Sequence, residues 1–161
     1  MNRLLQAIFI LFLVTVAGVS VFSAERAPWG TAGVADVEYR PQKVLYDLTT
    51  GNTAELGNVL DRLGYLYKLY GSDPLESSIV VIIHGNAIPF FALDRLEQYS
   101  ELMARAQSMT VGSTIEFRMC RAAASMMDYT PADIHGFVTM VPMADAEIIR
   151  LQQQEGYAYL R

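Results

Sequence analysis

The sequence predicts an α/β fold built on a mostly parallel sheet of four or five strands with helices on both faces. Residues 78–83 form a continuous apolar run rich in β-branched side chains, which is typical of a strand buried on both faces of a parallel sheet. Segments of this kind alternate with segments whose apolar residues recur every three or four positions, as in amphipathic helices. Such alternation of strands and helices is characteristic of a three-layer α/β arrangement.

The first half of the domain is predicted to contain two strands and three helices. In chain order these are a strand at 43–48, a helix from 53 to about 70, a strand at 78–83, and helices at 87–93 and 98–108. The first helix shows its periodicity clearly, because Leu56, Leu60 and Leu63 recur at steps of three and four residues. Asn52 or Thr53 can cap its first turn.

The second half is predicted to continue the alternation. Its elements are a strand at 114–119 that leads to Cys120, a short helix to about 127, a helix start at 130, a strand at 136–141, a helix at 144–154 and a short strand at 157–160. Thr130 suits a helix cap, and Pro131 suits the first helical position, where its missing N–H removes no hydrogen bond.

The first 24 residues are predicted to be a signal peptide that directs the protein to the periplasm. Arg3 precedes an almost wholly apolar segment at residues 4–22, and Val21 and Ser23 suit the small-residue positions of a cleavage site. The alternative is an uncleaved anchor in the inner membrane, since this segment approaches the roughly 20 apolar residues that span a bilayer.

After this segment, residues 25–41 are predicted to be a linker and residues 42–161 a single domain. Removal of the signal peptide leaves 11 basic and 17 acidic residues, a net charge of 11 − 17 = −6. A negative domain without a basic stripe argues against nucleic-acid binding and against electrostatic attachment to a membrane. Because Cys120 is the only cysteine, its thiol is either buried and inert or used for redox or sulfur chemistry.

Three polar segments are expected at the carboxyl edge of the sheet, where ligands bind in open α/β folds. They are the turn at 49–52, the segment 84–86, and Cys120 with Arg121. His84, Asn86, Cys120 and Arg121 are predicted to surround one crevice if the second and third strands are neighbours. Adjacent parallel strands would bring the ends at His84 and Cys120 to about 5 Å from each other.

Cys120 is the candidate reactive residue at this edge. Arg118 and Arg121 flank it, and cations together with a helix amino terminus favour the thiolate. Each of these residues also has a purely structural interpretation. Cys120 can be a small buried hydrophobic residue, the two arginines can be solvated surface charges, and His84 can be a core histidine bonded to the backbone.

Several other chemistries lack their sequence motifs. The chain has no Cys-x-x-Cys pair, no glycine-rich dinucleotide- or phosphate-binding loop and no Gly-x-Ser-x-Gly turn. One cysteine and two histidines, at positions 84 and 135, make a poor zinc site. The sequence therefore predicts neither a metal nor an organic cofactor, and a flavin- or nucleotide-dependent enzyme is the least favoured hypothesis.

Four stretches of the domain match a known family in order and spacing. They are Lys-Val-Leu-Tyr-Asp-Leu at 43–48, Ile-Val-Val-Ile-Ile-His-Gly-Asn-Ala at 79–87, Ile-Glu-Phe-Arg-Met-Cys at 115–120 and Gly-Phe-Val-Thr-Met-Val-Pro at 136–142. With the final segment at 149–160, they make the chain similar to the DsrE/DsrF/TusD-like family, in its exported single-domain branch. Many exported relatives continue Cys-Gly-Asn-Thr after the thiol, whereas this chain continues with Arg121 and Ala122.

The resemblance implies a flavodoxin-related parallel fold that assembles into homotrimers or homohexamers. In the sulfur-relay members, a cysteine after the third strand carries a persulfide and passes sulfane sulfur to a partner protein, and Cys120 resembles that position. The expected function is therefore sulfur handling, with a sulfur donor or acceptor protein as partner. A carrier of this kind needs an accessible nucleophilic sulfur and no resolving cysteine. The alternative is a non-catalytic oligomeric module for ligand binding or assembly, in which the thiol is incidental.

Overall fold

The computed structural model of this protein describes residues 29–71, 73, 75–112 and 115–161. The chain divides into two units, of which the first ends at Asp36 and the second is Val37–Arg161. The described part of the first unit is exposed and contains no helix or strand. The predicted signal peptide lies outside the described residues. Among the helices that are described, none is both long and apolar enough to cross a membrane.

The second unit is organised around a five-stranded, wholly parallel sheet. Its spatial strand order is β4-β3-β2-β1-β5, and every neighbouring pair is parallel. The predicted α/β class and parallel sheet are confirmed. The strands are β1 (Lys43–Leu48), β2 (Ser78–Ile83), β3 (Ile115–Cys120), β4 (Val138–Val141) and β5 (Ala158–Leu160).

The central strand β2 forms because a short β-branched run can be buried on both of its faces. Every residue from Ile79 to Ile83 is buried, as expected of a parallel strand that is covered by helices on both sides. Ile83 is paired with Leu48 of β1 on one side and with Met119 of β3 on the other. The second and third strands are therefore neighbours, which is the condition that the predicted crevice requires.

Four α-helices connect and cover the strands, namely α1 (Thr53–Leu69), α2 (Leu96–Met109), α3 (Arg121–Ser125) and α4 (Ala144–Glu155). The helix α1 agrees with its prediction, including the cap. The side-chain oxygen of Asn52 accepts hydrogen bonds from the backbone N–H groups of Ala54 and Glu55, which satisfies two donors that a helix start leaves free.

The predicted helix at 87–93 is instead a 3-10 helix at Gly85–Phe91. Pro89 lies inside it, and a proline removes a backbone donor and disfavours a continuous α-helical ladder. A second 3-10 turn at Leu93–Arg95 leads into α2, which therefore begins at Leu96, before its predicted start at 98.

The segment after Cys120 is also less helical than predicted. The helix α3 ends at Ser125, and Asp128 has a positive φ of 63°, which turns the chain out of the helix. The helix start predicted at Thr130 is a 3-10 turn at Pro131–Asp133, closed by reciprocal hydrogen bonds between Thr130 and Asp133. The strand β4 then begins at Val138.

The two faces of the sheet are covered unequally. On the first face, α1, α2 and the 3-10 helix at Gly85–Phe91 help to bury a cluster of 22 residues within the described part of the chain. On the second face, beneath α4, the buried cluster is smaller, and its members are Leu45, Val80, Ile82, Cys120, Ala144, Leu151 and Tyr157. Because side chains alternate along a strand, Asp47 and Arg118 also lie on this second face.

Candidate functional site

The carboxyl edge of the sheet brings His84 and Cys120 together at the ends of neighbouring strands. The pairing of Ile83 with Met119 makes His84 and Cys120 the next residues in register, with backbones about 5 Å apart. His84 keeps an extended backbone, with φ −155° and ψ 178°. The strand alternation therefore continues through His84, and its side chain lies on the second face with that of Cys120.

His84 is bonded to Asp47, on the side of β2 away from the thiol. Its Nε2 lies 2.6 Å from Oδ1 of Asp47 on β1, which is one neighbour of β2. Cys120 belongs to β3, which is the other neighbour of β2. The other carboxylate oxygen of Asp47 accepts a 2.5 Å hydrogen bond from the hydroxyl of Tyr159 on β5. In place of the predicted crevice of His84, Asn86, Cys120 and Arg121, this edge carries a polar row of Tyr159, Asp47 and His84, and β3 with Cys120 is the next strand after that of His84. In the described ranges no hydrogen bond joins His84 to the sulfur.

The polar row is built around a nearly buried carboxylate. Asp47 is only 9% exposed, and a buried charge is tolerated only when hydrogen bonds replace the lost water. Its two oxygens receive these bonds from His84 and Tyr159. The hydrogen bond to Asp47, followed by partial burial, raises the pKa of Tyr159 above its usual value, so the hydroxyl stays protonated and donates at neutral pH.

A cleft of about 190 Å³ opens beside this row at the end of β1. The residues that line it are Tyr46, Asp47, Leu48, Thr49, Thr50, Glu55, Val59 and Arg161. Asn86 is exposed and lies against the neighbouring turn, because a Cβ added to Gly51 would come within 3.1 Å of the Cβ of Asn86. A side chain at position 51 would therefore press against Asn86, which favours glycine there. The polar lining suits a small polar ligand.

Cys120 lies at the junction of β3 and α3, where the sequence places it. Its Sγ accepts a 3.4 Å hydrogen bond from the backbone N–H of Ala123 and caps α3. A donor aimed at sulfur stabilises a negatively charged sulfur, either thiolate or persulfide. The residue is only 5% exposed, and it shares a buried cluster with Ala144 and Leu151 of α4. A partner protein can reach this sulfur only if the residues packed around it move.

The two arginines beside Cys120 have different surroundings. Arg118 binds two carboxylates, with Nη2 at 2.7 Å from Oε2 of Glu116 and Nη1 at 2.5 Å from Oε1 of Glu147. Its charge is therefore balanced, and it joins β3 to α4. Arg121 is exposed as the first residue of α3, and within the described part of the chain it makes no ion pair. Arg121 is the cation that remains unbalanced beside the thiol.

Glu147 is the centre of an ion-pair network on the second face. It accepts hydrogen bonds from Arg150 at 2.9 and 2.8 Å and from Arg118 at 2.5 Å. The bonds from Arg150 and then Arg118 outweigh the effect of burial and lower the pKa of Glu147 to about 2. Burial lowers the pKa of Arg118, but hydrogen bonds to Glu116 and Glu147 overcome it and raise that pKa. The network therefore stays charged at neutral and mildly acidic pH.

The other histidine, His135, is not part of the polar row. Its ring stacks on Phe137, and its buried Nε2 finds no hydrogen-bond partner among the described residues. Burial lowers the pKa of His135, so it is neutral at pH 7. Across the described ranges, no three His, Cys, Asp or Glu side chains are grouped so as to hold a metal ion.

Asp47, Tyr159 and Glu147 are not among the residues that the sequence predicts for the site. A signal exists for Asp47, because it is the one charged residue between the buried positions of β1, and a buried carboxylate needs partners. Tyr159 and Glu147 have no local signal. Tyr159 bonds Asp47 across 112 positions of sequence, and Glu147 meets Arg118 across 29.

Comparison with known proteins supports the fold. No family model matches the chain, and no curated protein matches it. Among solved structures, the chain is similar to MTH1491 from Methanobacterium thermoautotrophicum, a protein of unknown function. The two share 18% sequence identity and a TM-score of 0.59, over 74% of this chain and 98% of that chain. The likeness shows a shared α/β fold.

Proposed function

We propose that this protein carries sulfane sulfur as a persulfide on Cys120, in the periplasm, to which the predicted signal peptide would direct it. The observation that carries the proposal is the position of Cys120 at the carboxyl edge of a parallel sheet, with Sγ accepting the N–H of Ala123. This bond favours an anionic sulfur. Cys120 is the only cysteine, so no neighbouring thiol of the same chain can resolve a persulfide. The resemblance of residues 43–161 to sulfur-relay proteins supports the same function.

The proposed step transfers sulfur without net oxidation. The Cys120 thiolate attacks the outer sulfur of a persulfide or polysulfide held by a donor, and a bond forms between Sγ and that sulfur. The bond from the same sulfur to the donor breaks, and the donor leaves as a thiolate that takes up the proton lost by Cys120. An acceptor thiol unloads Cys120 by the same exchange. Arg121 supports the anionic sulfur, and His84 and Asn86 follow β2 at the same edge of the sheet.

Mass spectrometry of the intact protein tests this function. Incubation with polysulfide is expected to add about 32 Da, the mass of one sulfur atom, and a thiol reductant is expected to remove it. Cys120→Ser is the matched control, because it keeps the shape of the site and removes the only thiol. Failure of the folded wild-type protein to gain sulfur would overturn the proposal.

A second candidate function is a non-catalytic module for ligand binding or assembly. The burial of Cys120 favours it, since the thiol is 5% exposed while the open cleft lies beside Asp47, Thr50 and Glu55. A small thiol reagent separates the two candidates. Labelling of the folded protein supports a carrier, whereas labelling only after unfolding supports the module.

Assembly into a homotrimer or homohexamer is also proposed. Exposed apolar residues lie on and beside α3 and α4, and burial of such residues between copies would stabilise an assembly. They are Met126, Met127, Met143 and Ile149. Light scattering on the purified protein is expected to show a trimer or larger. A monomer at micromolar concentration would contradict this proposal.

A further inference from the structure

We propose that α4 is a gate over Cys120 and that Glu147 holds the gate closed by bridging α4 to Arg118 of β3. The proposal deepens the proposed function, on which its biological role rests, by naming what controls access to the sulfur. Cys120 and the amino end of α4 share a small buried cluster through Ala144. Movement of this end of the helix is therefore the shortest route to an exposed thiol.

The apolar attachment of α4 to the sheet is thin. Only Ala144 and Leu151 among the residues of α4 are buried, Ile148 packs partly buried against the same cluster, and Ile149 is 54% exposed. Hydrophobic stabilisation is proportional to the apolar area removed from water, so two buried residues, one of them alanine, and one partly buried isoleucine hold a 12-residue helix less firmly than a large core would. The ion pair of Glu147 with Arg118 therefore contributes a large share of the interaction that holds α4 on the sheet.

Glu147 is well placed to provide this attachment. Its side chain is 11% exposed and that of Arg118 is 18% exposed, so solvent screens their interaction less than that of a surface pair. Arg150 binds the same carboxylate from within α4. Glu147 thereby connects the sheet to the helix at one turn from Ala144, which is the turn nearest to Cys120.

The two ends of α4 are closed differently, because the amino end lacks a side-chain cap and the carboxyl end has a glycine cap. Met143 precedes the helix and supplies no side-chain cap, and Gly156 ends it in a left-handed conformation with φ 75°. An uncapped helix start leaves backbone donors without intrahelical partners and frays readily. Loosening is therefore expected at the end that covers the thiol, while Leu151 keeps the rest of α4 on the sheet.

Alkylation of the folded protein by iodoacetamide tests the gate. Cys120 is the only cysteine, so the mass of the product reports this site alone. Glu147→Gln is expected to speed alkylation about tenfold, because local opening becomes more frequent when the charge-assisted bonds are lost. Glu155→Gln is the matched control. It also removes a carboxylate that binds Arg150, but from the far end of α4, and it is expected to change the rate less than about twofold.

Two further measurements separate gating from general destabilisation. Arg118→Lys keeps the positive charge but loses the guanidinium that binds Glu116 and Glu147 together. It is expected to speed alkylation as Glu147→Gln does. Hydrogen exchange is expected to accelerate in the first turns of α4 and to stay unchanged in α1. An unchanged alkylation rate in Glu147→Gln overturns the gate, as does an equal acceleration in Glu155→Gln or exchange that accelerates equally in α1.

Different experiments can reject the gate and the carrier function. Alkylation reports access to Cys120 whatever the sulfur is used for. If Glu147→Gln speeds alkylation but polysulfide adds no sulfur to either protein, the gate stands and the carrier function is rejected. If polysulfide loads both proteins at the same rate and iodoacetamide also reacts equally, the carrier function stands and the gate is rejected.

Discussion

The two faces of the sheet use different physical interactions. The first face packs α1, α2 and a 3-10 helix against apolar side chains, and within the described chain its cluster contains 22 buried residues. The second face buries a cluster of seven residues, one of which is Cys120. It also carries Asp47 and the ion pair of Arg118 with Glu147. Burial of apolar area contributes most of the stability of a fold. The first face therefore stabilises the domain, whereas the second holds the groups that can do chemistry.

This difference shows how one sheet can combine a large apolar core on one face with buried polar groups on the other. Buried polar groups are tolerated where they are hydrogen-bonded, and the polar row and the ion-pair network satisfy that condition. A helix held by few apolar contacts opens at lower free-energy cost than one in a large core. Four predictions test how sharply the faces differ, from the largest expected effect to the smallest.

The largest expected change in the free energy of unfolding comes from replacing one buried leucine on each face by alanine. Leu60 on the first face and Leu151 on the second are both fully buried. Leu60→Ala is expected to lower the free energy of unfolding by about 4 kcal/mol, and Leu151→Ala by about 2 kcal/mol, because fewer buried neighbours surround the second cavity. Urea denaturation measures both. Equal losses would show that the faces contribute alike.

Asp47→Asn tests the polar row. The amide is neutral and has one acceptor oxygen, so it cannot reproduce both bonds to His84 and Tyr159. The free energy of unfolding is expected to fall by about 2 kcal/mol, and Tyr159→Phe by about 1 kcal/mol. Asp61→Asn is the control, since Asp61 forms an exposed pair with Arg105 and should cost less than about 0.5 kcal/mol.

His135 is expected to make the stability of the first face depend on pH. Burial lowers its pKa in the folded protein from the usual 6.5, so the unfolded chain binds the proton more readily. The contribution of neutral, buried His135 to stability is fully present above pH 6.5. It is lost as the pH falls from there through the pKa of His135 in the folded protein. His135→Gln should flatten this part of the profile of unfolding free energy against pH. An unchanged slope would assign the pH dependence to other groups.

Arg121→Glu gives the smallest effect. Replacement of the unpaired cation by an anion disfavours the thiolate of Cys120, so alkylation at neutral pH is expected to slow by about threefold at low salt. The difference should shrink at high salt, because Arg121 is exposed and its field is screened. Arg105→Glu serves as control, because Arg105 belongs to α2, which covers the first face of the sheet and not the face of Cys120. If it slows alkylation equally, net charge and not the position of Arg121 is responsible.

Much of the fold follows from local sequence patterns. The strand at Ser78–Ile83 and the helix at Thr53–Leu69 agree with prediction because a β-branched run and a three-to-four-residue period each favour one structure. Boundaries differ where one residue overrides the pattern, as Pro89 does in its 3-10 helix. At the site, the sequence singles out His84 and Cys120 because His84 directly follows β2 and Cys120 lies at the carboxyl end of β3. It does not identify their partners, which lie elsewhere in the chain.

By itself, the sequence determines the class of fold, the five alternating strand segments and the place of a single thiol after the third strand. Each of these depends on neighbours in the chain. Only the tertiary structure decides that Asp47 turns His84 toward Tyr159, that Arg118 is neutralised by Glu147 and that α4 covers Cys120. These contacts depend on strand order and helix placement, which set the distances between residues far apart in sequence and leave no periodic trace in it.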